Sequence, residues 1–130
     1  MARTASTVRP FCEIAIVDDY VRADVGPARA GEIQKCYEDW ACACLDGKYQ
    51  RALLVGMSQG DEFAHLAARD AIASMALAGI PAEFRLAVVA RDVLLIAIYD
   101  AVVVAARRHG IDARRFQDEK DAVGWLAGSP

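Results

Sequence analysis

Arg51-Ala52-Leu53-Leu54-Val55-Gly56-Met57 is a short, nearly continuous apolar run, and its reading decides the fold. Apolar residues at consecutive positions, instead of alternate ones, require cover on both faces of a strand. The run therefore predicts a strand in the middle of a sheet with layers on either side. Phe84 to Ala90 repeats the pattern and predicts a second buried strand. Between them, Asp61 and Glu62 place negative charge in the first turn of a helix, which Gly79-Ile80-Pro81 ends. Beyond Phe84 to Ala90, Val93 to Arg108 reads as another helix, closed by Arg107-Arg108 and Gly110. Arg114-Arg115-Phe116 reads as a last strand, and Asp118 to Ala127 as a short final helix anchored by Val123, Trp125 and Leu126.

Upstream of Arg51, Asp46-Gly47 closes a helix running from about Ala28 to Leu45. Ile33, Cys36, Tyr37, Trp40 and Cys44 recur along it at three- and four-residue spacing, while Glu32, Lys35, Glu38 and Asp39 cover the other side. Gly26-Pro27 ahead of it breaks a strand and suits a helix start. Glu13 to Val17 and Val21 to Val25 flank Asp18-Asp19-Tyr20 and predict a hairpin with an acidic tight turn. The order is a hairpin followed by alternating helices and strands, which implies mostly parallel pairing with one antiparallel strand at the start. The expected organisation is a single α/β domain over residues 11–130, with about four helices, behind a flexible N-terminal segment at 1–10.

The chain has 130 residues, 55% of them hydrophobic and 25% charged, with a net charge of -3. That is the composition of one globular domain. A slight acidic excess argues against nucleic acid as a partner, because phosphate contacts need a concentrated positive field. The most apolar run, Val93 to Ala106, carries Asp100 and is shorter than the roughly 20 residues a bilayer span needs, so no membrane span is expected. Met1 to Pro10 lacks the apolar core of a secretory signal, which predicts a cytoplasmic location and reduced thiols at Cys12, Cys36, Cys42 and Cys44. On a helix Cys42 and Cys44 point about 200° apart, so the two cannot share a metal ion.

Phe84-Arg85-Leu86-Ala87-Val88-Val89-Ala90-Arg91-Asp92, Arg115-Phe116-Gln117-Asp118-Glu119 and Ala122-Val123-Gly124-Trp125-Leu126, set in that element order, resemble the STAS domain family. This is the fold of the bacterial anti-sigma-factor antagonists, and the likeness is to its SpoIIAA-like group. The resemblance implies a STAS-like α/β fold and a non-enzymatic regulatory module that binds a protein partner or a small apolar ligand. In those antagonists a phosphorylatable serine follows a central strand at the start of a helix. Here Ser58, Gln59, Gly60 and Asp61 hold that place, which implies a candidate binding or phospho-switch loop. Ser58 lacks the aspartate that precedes the family's serine, and with Asp61 three residues on it also reads as a helix N-cap.

No catalytic residue, cofactor or metal is expected. Asp18-Asp19 looks like the acidic pair of a receiver domain, but no aspartate ends the Arg51 strand, and a turn accounts for the pair better. Glu62 and His65 make only half of a di-iron site. The alternative function is a small hydrolase-type enzyme built on Ser58, Asp61, Glu62 and His65 at that helix start. On the Val93 helix, Leu94, Leu95, Ile98, Tyr99 and Val102 point in too many directions for one sheet face to cover. They are expected to be covered by the final helix and the flanking loops, by a second copy, giving a homodimer, or by an apolar ligand in a pocket. Asp70 is a polar oddity on the Leu77 side of the preceding helix, where a salt bridge is expected.

Overall fold

A computed structural model describes residues 4–9, 12–25, 30–56, 62–80, 83–90 and 93–128. Its strands are β1 (Thr4–Arg9), β2 (Cys12–Val17), β3 (Tyr20–Val25), β4 (Arg51–Gly56), β5 (Arg85–Val89) and β6 (Asp112–Phe116). Its helices are α1 (Ala30–Asp46), α2 (Glu62–Ala78), α3 (Val93–Arg108) and α4 (Glu119–Ala127). The six strands lie in one sheet in chain order. β1, β2 and β3 pair antiparallel, and β3 to β6 pair parallel, with Tyr20, Arg51, Arg85 and Asp112 level across the sheet. The β2–β3 turn is the acidic one: Val17 pairs with Tyr20, and Asp18 takes a φ of 51°, which aspartate tolerates better than most residues.

The strand alternation sorts side chains to two faces. On one, Val21, Ala23, Ala52, Leu54, Leu86, Val88 and Ala113 pack beneath α1, α2 and α3 in the main core. On the other, Tyr20, Leu53, Val55, Ala87 and Val89 pack beneath Ala122 and Leu126 of α4. β4 and β5 are thus buried on both sides, which is why their apolar residues run consecutively. Gly79 and Gly110 end α2 and α3 in the left-handed region, at φ 93° and 83°. After α1 that role falls to Lys48, at φ 53°. Gly47 is needed for space instead, since a side chain there would collide with the Tyr49 ring.

Three local expectations change. Residues 1–10, expected as a flexible segment, supply β1, whose Thr4-Ala5-Ser6-Thr7-Val8-Arg9 runs alongside β2 from Arg9 opposite Cys12 to Thr4 opposite Val17. β6 starts at Asp112, two residues before the predicted strand, because it pairs with the whole of β5. Cys36, expected as a reduced thiol, is disulfide-bonded, while Cys42 and Cys44 are free. Cys36 is buried on the side of α1 that packs against β2 and β3. Gly26, Pro27, Ala28 and Met57 lie outside the described residues.

Candidate functional site

The residues expected to carry function fall around the helix layer. Ser58, Gln59, Gly60 and Asp61 lie outside the described residues, between Gly56 ending β4 and Glu62 opening α2. The side chains of Glu62 and His65, and of Leu94, Leu95 and Ile98, are outside them as well. The other two residues of the expected interface helix are placed: Tyr99 and Val102 are buried within the chain's own core. Among its described residues α3 exposes Ala97, Ala101 and half-exposed Val104, 46% accessible, together with the charged Asp100, Arg107 and Arg108. On the adjoining α2, Leu77 is 88% accessible. Asp70 is exposed to solvent, which hydrates its charge, and the expected salt bridge is not formed among the described residues. Asp100 pairs with Arg115 at 2.6 Å, and Arg107 donates from Nε to the Ala113 carbonyl at 3.0 Å.

Beneath the helices lies a polar pair that no local pattern announced. Tyr37 of α1 and Tyr99 of α3 are both buried and their phenols are hydrogen-bonded. Burial, and then the neighbouring Tyr99, hold the Tyr37 phenol well above its ordinary range. Each hydroxyl finds in the other the partner that a buried phenol requires. Burial likewise pushes the Cys44 thiol up to about 12, so it stays protonated and unreactive. Exposed Cys42 lies on the opposite side of α1, as the helical spacing requires.

The second face of the sheet carries a charged frame around α4. Arg22 makes a bidentate pair with Glu119, Nε to Oε2 at 2.8 Å and Nη2 to Oε1 at 3.0 Å, with Glu13 and Asp24 at 3.8 and 3.5 Å. The Glu119 hydrogen bond raises the Arg22 pKa above its ordinary value, so the cation is fixed. At the other end of α4, Arg85 donates to the carbonyls of Trp125 and Gly128, both at 3.1 Å, and Arg51 to that of Leu126 at 3.1 Å. These cations meet the negative end of the helix dipole. Arg85 and Arg114 each lie 5.3 Å from the Trp125 ring centre, within cation–π range. Arg85 stands alone as a charged residue amid the apolar run Phe84 to Ala90, a sequence signal that marks the residue without naming its partners.

Arg85 is itself buried. Arg85→Met keeps much of the stem but removes the side-chain donor from both carbonyls, leaving that of Trp125 only the Gly128 N–H, with an expected cost of about 1–3 kcal/mol. A urea titration checks this, and a midpoint equal to that of the wild type would contradict it. Among the described residues no group of three or more His, Cys, Asp or Glu side chains is placed to hold a metal ion, and no helix is long and apolar enough to cross a membrane. Comparison with protein-family models, curated proteins and solved structures finds no match.

Proposed function

We propose that the chain is a non-enzymatic, STAS-like regulatory module that recognises a protein through the outer surface of its helix layer, with a second copy of itself as first partner. The observation that carries this reading is the pair Leu77 and Val104, large apolar side chains exposed on the neighbouring helices α2 and α3. A symmetric pair of such surfaces would cover itself, since a two-fold contact brings one patch against its own copy. The element order supports the STAS part of the reading. The β2–β3 hairpin, flanked by β1, is followed by alternating helices and strands, the order on which the resemblance rests. Under the same reading the loop at 57–61, between β4 and α2, is where a phosphoryl signal on Ser58 would enter.

Sedimentation at a series of protein concentrations tests the proposal. The wild type is expected to sediment as a dimer at tens of micromolar, and the double variant Leu77→Glu/Val104→Glu as a monomer. Because both positions are exposed, the substitutions should change stability by no more than about 0.5 kcal/mol. Identical sedimentation of the two proteins would overturn the self-recognition reading.

A further inference from the structure

We infer that α4 is a latched cover over the second face of the sheet: it leaves as a unit while the rest of the fold stays intact, and the Arg22–Glu119 pair is its latch. This goes beyond the proposed recognition surface, which lies on the opposite side of the sheet. α4 has nine residues, and helices shorter than about 12 residues are marginal in water without tertiary contacts. It packs on β4, β5 and β6 and reaches β3 through Glu119 on Arg22, and no α4 residue belongs to the core under α1, α2 and α3. Undocking α4 therefore leaves that core, and the strands it holds, in place.

The apolar grip of α4 is small. Its fully buried side chains are Ala122 and Leu126, with Val123 and Trp125 only partly covered. The two ends are held by polar groups instead: Glu119 on Arg22 at the start, and carbonyls on Arg51 and Arg85 at the finish. Gly124 sits in mid-helix with nothing within 4 Å of where a side chain would begin. Packing does not require glycine there, and it weakens the helix relative to alanine. Opening would bare Leu53, Val55, Ala87 and Val89, an apolar sheet surface, without disturbing the helix layer.

Native-state hydrogen exchange on the full chain tests this. In the wild type the amides of α4 are expected to exchange at least about tenfold faster than those of β4 and β5. Ile72, fully buried on α2 in the main core, supplies the discriminating variant. Ile72→Val should speed β4 and β5 exchange roughly three- to tenfold and leave α4 unchanged, because the core stays packed when α4 opens. Glu119→Gln should speed α4 exchange roughly five- to tenfold, and Gly124→Ala should slow it about two- to fivefold. If the α4 amides exchange at the rate of β5 and respond to Ile72→Val by the same factor, α4 opens only with global unfolding and the inference is overturned.

Discussion

Trp40→Ala is expected to lower stability by about 3–5 kcal/mol, the range for truncating a large aromatic side chain in a packed core. Trp40 is fully buried, and its indole Nε1 donates to the Val21 carbonyl at 3.3 Å. It stands on α1 among Tyr37, Ala41 and Cys44, facing the strand residues Val21 and Ala23. The substitution removes the ring that fills the space between α1 and the sheet, and it leaves the carbonyl without that donor. Domains of this size have about 5–15 kcal/mol in total, so a fifth or more of the stability is at stake. Trp40→Phe restores most of the volume without the donor and should recover most of the loss. Urea titration reads both variants. A loss below about 1 kcal/mol for Trp40→Ala would mean that α1 does not seat on the sheet as described.

Stability is also expected to fall steeply as the pH rises above 9. The Cys44 thiol, ordinarily near 9.0, is pushed up to about 12 by burial. The Tyr37 phenol, ordinarily near 10.0, is raised by burial and then by its hydrogen-bonded neighbour Tyr99. Burial raises Tyr20 too, with the Glu119 carboxylate adding to it. All three groups are neutral when protonated. Above their ordinary values the unfolded chain releases these protons while the folded chain keeps them, so the unfolded state gains with each rise in pH. For Cys44 the stabilisation is complete below pH 9 and is lost through the interval up to about 12; for the tyrosines the loss begins near 10. Each group contributes up to about a factor of ten per pH unit in the folding equilibrium. Urea midpoints at pH 8, 10 and 11 should therefore drop progressively, and Tyr37→Phe should make the drop shallower above pH 10 while lowering stability at pH 8. Equal midpoints at pH 8 and 11 would contradict the burial of these groups.

The centre of the fold was legible because β4 and β5 carry consecutive apolar residues and their helices end at glycines that take positive φ. A strand buried on both faces writes its position into its own composition. β1 does not. As a strand at the margin of the sheet with a single paired neighbour, its Thr4-to-Arg9 sequence shows no continuous apolar run, and backbone pairing with β2 leaves no side-chain signal. The polar features were hidden for a related reason. Tyr37 meets Tyr99, and Arg85 meets the Trp125 and Gly128 carbonyls, across long stretches of chain, so neither residue's local neighbours foretell its partner. Tyr99 and Val102 were legible as apolar helix positions but not as interior ones. A helix wheel shows how wide the apolar stripe is, whereas the depth of burial depends on α2 packing beside α3 and on β5 and β6 beneath it. Cys36 was read as reduced from the expected redox compartment, whereas the structure has it disulfide-bonded.

The central claim is that the chain works by recognising a protein, itself first, through the outer surface of α2 and α3. A native mass spectrum of the purified chain tests it most directly, because it reads assembly and bound mass together. The account predicts a species at twice the 14.1 kDa chain mass with no organic ligand aboard. A single-chain mass, bare or carrying a co-purified organic molecule, would contradict it.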